Sequence, residues 1–367
     1  MNVLIVANYA KEHINKFHLG TIKRMKELGW NVDVACKADA AVPYCDHLFD
    51  LPLERNPFRW QSFGAIRKLR AIIRAGKYDI VHVHTFAGKL VGILAARKFR
   101  QAGLKVIYSA HGFQYYEGAS WLNWCCLPLD KWLMQWVDLL IVINREDLAT
   151  AKRFHFHGNH VLQSCGINLK KFQVPSTARD AIRAEFGIAA DAPVLVYVAE
   201  LTKNKNQEML LRMFKRVAVQ YPKAHLLLVG PDHYHGKIQR QIEDDGLGAT
   251  VHCLGWRPDI PAILKASDVA VASSIREGFG VNIVEYMASG LPVVAVDNRG
   301  HREIIEDGAT GCLVPQNDDE RMAECVVKLL SDNKLRETIV EHATRQISKY
   351  SEEVAVSRII DCYHCLN

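Results

Sequence analysis

The run Ser273-Ser274-Ile275-Arg276-Glu277-Gly278-Phe279-Gly280-Val281-Asn282-Ile283-Val284-Glu285-Tyr286-Met287-Ala288-Ser289-Gly290-Leu291-Pro292 carries the densest set of groups suited to chemistry. Gly278 and Gly280 let the backbone pass close to a ligand. The apolar spacing after them reads as a helix starting near Gly280, whose first N–H groups point outward and suit a diphosphate. Gly290 followed by Pro292 ends that helix. Glu277 precedes the helix and Glu285 lies in its second turn, so the two face different parts of one ligand and are not a paired acid and base. Ionised carboxylates only accept hydrogen bonds, which suits the hydroxyl donors of a sugar or ribose. A plainer reading stays open, with Glu285 a solvated helix residue and the glycines an ordinary turn.

Other sets are less specific. His111 follows an apolar strand and precedes Gly112, which gives it room at a strand end where ligands are commonly met. Lys203 and Lys205 stand in a polar Asn/Lys run and, taken alone, read as exposed turn residues. His82 and His84 point to one side of a strand like a metal pair. No carboxylate stands near them in sequence, so packing is their expected role. Ala87-Gly88-Lys89-Leu90 lacks the first glycine and the hydroxyl of a P-loop, and no G-x-G-x-x-G follows the first strand, so ATPase and dehydrogenase readings fail. Cys362-Tyr363-His364-Cys365 offers one thiol pair, too few for a tetrahedral zinc site.

The elements that must position these residues are short β-branched runs alternating with helical periodicity. Val3–Ala7, a helix to Leu28 stopped by Gly29, and Asn31–Cys36 read as βαβ. Ile80–His84, Lys105–Ala110 and Leu139–Ile143 continue the series, apolar on both faces as a helix-covered parallel sheet requires. Periodicity lapses after Gly166 across Pro175, Ser176, Thr177 and Pro193. A second series then runs through Val194–Ala199, His225–Val229, Val251–Leu254, Val269–Ala272, Pro292–Ala295 and Cys312–Val314. The expected fold class is α/β, two doubly wound Rossmann-like domains facing across a cleft. Their bounds are 1–165, a linker over 166–191, and 192–350.

A length of 367 residues suits two ordinary cores, and 49% hydrophobic with 23% charged residues excludes disordered and fibrous classes. No apolar run approaches the roughly 18–20 residues of a membrane span, and Met1 leads straight into a strand, so secretion is not expected. The ten scattered cysteines fit a reducing cytosol. The net charge of +6 is unevenly placed. Arg55, Arg59, Arg67, Lys68, Arg70, Arg74, Lys77, Lys89, Arg97, Lys98, Arg100 and Lys105 face the single acid Asp79. Such a basic half attracts nucleic acid, anionic lipid or a phosphorylated acceptor, unless these are only solvated helix faces.

At Glu277 and Glu285 the chain resembles the retaining glycosyltransferases of the GT-B fold, family 4, whose members carry a Glu, seven residues, then Glu. Asp79-Ile80-Val81-His82-Val83-His84, Ala110-His111-Gly112-Phe113 and Ala266-Ser267-Asp268-Val269 are similar to that family's landmarks in the same order, across essentially the whole chain. The segment Tyr108–Glu117 is most similar to bacterial members that build capsular or exopolysaccharide on a lipid-linked carrier. The resemblance implies that Glu277 touches donor-sugar hydroxyls, that the backbone of Gly278, Phe279, Gly280 and Val281 meets the diphosphate, and that Glu285 binds the ribose. It implies that Lys205 stabilises the departing nucleoside diphosphate. It also places His111 near the reacting sugar carbon, orienting the donor rather than acting as nucleophile.

Two departures from the family stand out. Glu200 occupies the position of the usual arginine, so Lys203 or Arg257 would have to supply a second charge, or the Glu200 carboxylate positions Lys205. Where the family often has two glycines after the first strand, this chain has His13-Ile14-Asn15-Lys16-Phe17-His18. His13, His18 and His84 are therefore expected on the acceptor side, with a plain helix N-terminus as the alternative for the first two.

The implied function is transfer of a sugar, with retention, from a UDP-sugar to a saccharide acceptor that is lipid-linked. The acceptor proton passes to the leaving phosphate, and no metal or other cofactor is expected, since Asp-x-Asp is absent from the chain. A nucleotide-sugar epimerase or hydrolase of the same fold, or a non-catalytic nucleotide-sugar-binding subunit, remains open. The expected place is the cytoplasm, with peripheral contact to anionic membrane on its inner face through Tyr115, Tyr116, Trp121 and Trp124, unless these pack in the core. No nucleic acid is expected as a partner. Residues 351–367 are expected to form a helix that crosses back to the first domain.

Overall fold

The computed structural model describes residues 1–54, 61–116 and 118–366; Arg55 and Arg59 of the basic stretch and Glu117 of the aromatic segment lie outside them. Two compact units divide the chain, one of Met1–Gly166 with Glu352–Asn367 and one of Ile167–Ser351.

In the first unit seven strands form one sheet: β1 (Asn2–Tyr9), β2 (Asn31–Lys37), β3 (His47–Asp50), β4 (Ile80–His84), β5 (Lys105–Ala110), β6 (Leu139–Val142) and β7 (Asn159–Leu162). Their spatial order is β3-β2-β1-β4-β5-β6-β7, and every neighbouring pair is parallel. Side chains alternate between faces, so unbroken apolar runs feed two cores. Leu4, Val6, Val81 and Val83 pack on one face; Val3, Ile5, Ala7 and Ile80 pack on the other. That second face is covered partly by the C-terminal helix Glu352–His364, through Ile360 and the fully buried Tyr363. Cys362 is buried beside them and Cys365 is exposed, both as free thiols.

The second unit has six strands: β8 (Val194–Val198), β9 (His225–Val229), β10 (Val251–Gly255), β11 (Val269–Ala272), β12 (Val293–Val296) and β13 (Cys312–Val314). They lie in the order β10-β9-β8-β11-β12-β13, again all parallel. The stretch 166–191 is not a bare connection. Its helix Thr177–Glu185 carries Arg179 and Arg183, which donate to the Asp268 carboxylate at 2.8 and 2.9 Å.

Three aspartates, each one residue before a strand, repeat one device. Asp79 accepts from Asn2 N at 2.7 Å, Asp138 from Val106 N at 2.8 Å and Asp268 from Val194 N at 2.8 Å. Each carboxylate satisfies a backbone donor of the adjacent strand that would otherwise end the ladder unpaired. Two of the family landmarks, at Asp79 and Asp268, therefore hold the sheets at the strand N-termini, opposite the end where ligands are met.

The basic stretch is not wholly a surface. Lys89 is fully buried against Asp130, with its ammonium 4.6 Å from the Phe86 ring and 5.2 Å from the Tyr108 ring. Burial lowers its pKa, and Asp130 opposes that shift. Arg100 is tied to Asp138 at 2.7 Å.

Candidate active site

In an open doubly wound sheet the strand order reverses at one point, and the crevice there, beyond the strand C-termini, is where ligands bind. In the second unit that point lies between β8 and β11. The turn after β8 carries Lys205, and the turn after β11 carries Glu277. Separated by 72 residues, they meet with Lys205 Nζ 2.5 Å from Glu277 Oε1, both mostly shielded.

The scaffold under this pair is specific. Ser273 donates to Lys205 O at 2.7 Å, the buried Tyr197 hydroxyl lies 2.7 Å from Ser274 Oγ, and Ile275 N donates to Asn204 O at 2.8 Å. The helix Val281–Ala288 starts at Gly280 with no side-chain cap on that residue, while Val281 N and Ile283 N donate locally to Phe279 O and Gly280 O at 3.1 and 2.9 Å, contacts a bound anion would compete for. Gly280 is required for a second, internal reason: an added Cβ would lie 2.8 Å from Ile283 Cγ1 and 3.0 Å from His301 Cδ2. Phe279 is buried, edge-on to Tyr350 with ring centroids 5.7 Å apart. It anchors the turn, so only its backbone can serve a ligand.

Glu285 is partly exposed, and burial pushes its carboxyl up to about 7; only the Lys171 charge works against that shift. A carboxyl this poorly compensated gains by accepting hydrogen bonds from hydroxyl donors.

The two candidates for a second cation fare differently from expectation. Arg257 is held by Glu185 at 2.5 and 3.0 Å and by Asp259 at 2.8 and 2.7 Å, which raises its pKa and occupies its fork. Two carboxylates already pair it, so its fork is occupied in this structure. Lys203 and Glu200 are exposed, and Glu200 contributes its carbonyl, which accepts from Gln207 Nε2 at 2.8 Å.

Sequence reasoning missed the loop after β12. Arg299 is buried and its Nε donates to Glu277 O at 3.3 Å. Gly300 lies so close that an added Cβ would sit 2.6 Å from Glu277 Cβ. Asn298 accepts from the N–H groups of Gly300 and His301, both at 3.0 Å, and donates to Ser274 O at 2.8 Å. The available signal was positional: Asn298-Arg299-Gly300-His301 follows a strand C-terminus beside β11.

In the first unit the reversal lies between β1 and β4. His13 and His18 follow β1, His84 ends β4 and His111 follows β5. One ring nitrogen of each of these four lies within 4.8 Å of one from every other. His18 Nε2 is 3.1 Å from His13 Nε2, and His84 Nδ1 is 3.3 Å from His111 Nε2. Burial pushes His13 down to about 3, and His18 and His84 well below the usual imidazole range. His111 has an exposed edge, yet the protein packed around its ring lowers it to about 4. His82 stands apart, its ring nitrogens engaged by Tyr363 OH at 2.6 Å and Ser109 Oγ at 2.8 Å.

The aromatic segment divides. Tyr115 is fully buried with its hydroxyl donating to Asp130 at 3.0 Å, and Trp124 packs against the same core. Trp121 is 74% exposed beside Leu122 at 61%. Among the described residues no helix is long and apolar enough to cross a membrane.

Comparison with known proteins identifies the family and the fold. Residues 178–346 match the family described as Glycosyl transferases group 1, and residues 18–171 match Glycosyltransferase Family 4. The putative glycosyltransferase EpsD of Bacillus subtilis (strain 168) is 37% identical over 96% of this chain and 93% of its own length. The Escherichia coli UDP-Gal:alpha-D-GlcNAc-diphosphoundecaprenol alpha-1,3-galactosyltransferase is 25% identical over 91% of this chain and 89% of its own. Among solved structures, Anabaena Alr3699/HepE in complex with UDP superposes with a TM-score of 0.85 over the whole of both chains at 21% identity, a likeness of fold. The fold is GT-B, with seven and six parallel strands in its two sheets.

Proposed function

The chain belongs to glycosyltransferase family 4 and is an enzyme of polysaccharide or glycoconjugate synthesis, and from that premise we propose a donor, a mechanism and an acceptor class for it. The donor is a UDP-sugar held by the second unit. Glu277 accepts from its sugar hydroxyls, the Gly278–Val281 backbone and the helix start hold its diphosphate, and Glu285 takes the ribose hydroxyls. The observation that carries this reading is the Lys205–Glu277 contact at the switch point, which joins a cation for the diphosphate to an acceptor for the sugar.

As the glycosidic bond to phosphate breaks, negative charge gathers on the leaving diphosphate. Lys205 and the helix N–H groups stabilise that charge without a divalent ion on the diphosphate. Arg299, whose Nε donates to Glu277 O, takes the part of the arginine that Glu200 displaces. The acceptor hydroxyl attacks from the face the diphosphate leaves, and its proton passes to the departing phosphate oxygen, so configuration is retained and no enzyme nucleophile forms. His111 supplies a hydrogen bond at the reacting sugar. The acceptor is a saccharide on a lipid-linked carrier, reached from the cytoplasmic face of the membrane. Trp121 and Leu122 with the basic helix Gln61–Gly76 make the peripheral contact.

Purified chain screened against nucleotide sugars should show thermal stabilisation by UDP-sugars above other bases, and slow release of UDP. Absence of both with every nucleotide sugar tried would refute the donor assignment. Anionic liposomes at low salt should retain the wild-type chain and lose Trp121→Ala/Leu122→Ser. Equal retention of both would remove the membrane contact.

A further inference from the structure

The four histidines at the first unit's switch point are brought together by a local departure from helix geometry. In an α-helix neighbours on one face are spaced i, i+3 and i, i+4, so residues five apart diverge. Ala10–Ile14 instead forms a π-turn, closed by Asn15 N donating to Ala10 O. That turn closes before the Ile14–His18 step, which is α-helical with His18 N donating to Ile14 O at 2.9 Å, and His13 and His18, five apart, nevertheless lie together with Nε2 atoms 3.1 Å apart. Single π-turns are frequent at functional sites. His18 then interrupts the helix, with φ −123° and ψ −5°, and its ring packs on His84 with centroids 4.1 Å apart.

We propose that His13, His18, His84 and His111 form a binding site for one divalent transition-metal ion, Zn2+ by ligand type. A zinc ion with four nitrogens at about 2.0–2.1 Å in tetrahedral array has nitrogens about 3.4 Å apart. The pairs at 3.1 and 3.3 Å already have that spacing, and the remaining separations, up to 4.8 Å, close by about 1.4 Å as the two pairs approach one ion. All-imidazole ligation selects zinc, copper or nickel over magnesium or calcium, which require oxygen ligands. Entry is open at His111, the exposed member, while His84 is buried at the floor. His82 backs His84 at a ring distance of 4.1 Å and is itself fixed by Tyr363 and Ser109, so the floor is rigid. The two neutral pairs share protons between ring nitrogens, and a metal replaces those N–H···N contacts by a tautomer shift without net proton loss. The sequence led to the opposite expectation because His82 and His84 were the visible pair, whereas the ligand set draws on three separate segments. This site binds no diphosphate and leaves the neutralising role of Lys205 as proposed.

The test uses the full chain, stripped by chelation and titrated with Zn2+ against a chromophoric chelator, with Co2+ in parallel as a spectroscopic probe. One tight equivalent per chain and the intense visible bands of tetrahedral cobalt are expected. His13→Ala should weaken binding by more than the roughly 10–100-fold that loss of an outer-shell partner costs. His84→Ala should do the same; if it fails to fold, His13→Ala, on a half-buried surface turn, still decides. His225→Ala is the control, because His225 and His252 form a separate close pair, 3.0 Å apart, that offers two imidazoles. No tight equivalent, weak octahedral cobalt bands, binding unchanged in His13→Ala, or binding lost in His225→Ala would each overturn the site. None of these measurements uses a nucleotide sugar, so their outcome is separate from that of the transferase assignment.

Discussion

The two sheets share one strand order up to the first unit's extra seventh strand, yet their switch points hold opposite chemistry. Between β8 and β11 stands a charged pair, Lys205 with Glu277, next to a desolvated Glu285. Between β1 and β4 stand four imidazoles that burial keeps uncharged, with no carboxylate among them. Topology decides where a ligand is met, and the turn residues decide which ligand. A pre-formed ion pair can exchange partners with a charged diphosphate at little cost, because each member is already desolvated beside an opposite charge. Neutral imidazoles offer lone pairs and N–H groups, suited to a metal ion or to uncharged hydroxyls.

The largest expected effect tests whether charge in the first unit serves folding rather than ligand binding. Lys89 and Asp130 are buried beside Tyr108 of β5 and pair with each other. Lys89→Met leaves Asp130 as an uncompensated buried charge and should cost about 3–5 kcal/mol of stability, read from denaturant midpoints. Lys89→Met/Asp130→Leu removes both charges and should recover much of that loss. A Lys89→Met chain of normal stability but low turnover would mean that this pair does act on substrate, and the contrast between units would fail.

Next in size is the second unit's own pair. Lys205→Ala should lower kcat by about 10²–10³, the range for losing one preorganised group at developing charge. KM for the donor should change less, because the charge Lys205 opposes is greatest in the transition state. Measured by nucleoside diphosphate release, a wild-type kcat would place charge stabilisation elsewhere. Glu277→Ala should also lose most of its turnover, while Cys362→Ala, on the buried face of the C-terminal helix, should keep it.

The Glu285 carboxyl, raised to about 7 in the free chain, gives a smaller and graded effect. Ribose hydroxyls hydrogen-bond to its ionised form, so the bound pKa is lower than the free one and binding releases a proton. Affinity for UDP should therefore be weaker at pH 6, rise through about pH 7, and level off above it, with a limiting slope of about tenfold per pH unit. Glu285→Gln should bind more weakly at pH 8 and show a flat profile by titration calorimetry. A wild-type profile flat from pH 6 to 8 would detach Glu285 from the nucleotide.

Much of this site could be read in the sequence because it is local. The turn and helix from Ser273 to Gly290 bring Glu277, Gly280 and Glu285 into one place by chain continuity, and a strand-turn-helix pattern announces them. The fold was legible for a similar reason, since apolar runs such as Val3–Ala7 and Leu139–Ile143 are buried on both faces. What could not be read depends on long-range closure. His13, His18, His84 and His111 come from three segments, and His13 meets His18 at a spacing of five that helix periodicity does not anticipate. Arg299 reaches Glu277 only because β12 lies beside β11. Tyr115 and Trp121 carry similar side chains six residues apart, yet one is core and the other surface, which Asp130 decides by offering Tyr115 a buried partner.

The smallest expected effect concerns Arg257, whose residue type invited assignment to the donor. Its guanidinium makes four contacts of 2.5 to 3.0 Å with Glu185 and Asp259. To reach a diphosphate it would have to abandon both carboxylates and leave them facing each other. Arg257→Ala should then leave UDP affinity and kcat unchanged and cost only about 0–1 kcal/mol of stability, the range for a solvent-accessible ion pair. Arg299→Met should weaken UDP binding in the same assay, because its Nε lies against the backbone of Glu277. The reverse pattern, loss with Arg257 and none with Arg299, would show that Arg257 leaves its carboxylates when the donor arrives. The second unit's charge would then be assembled by the ligand instead of standing ready at the switch point, and that would be the sharper difference from the pre-arranged histidines of the first.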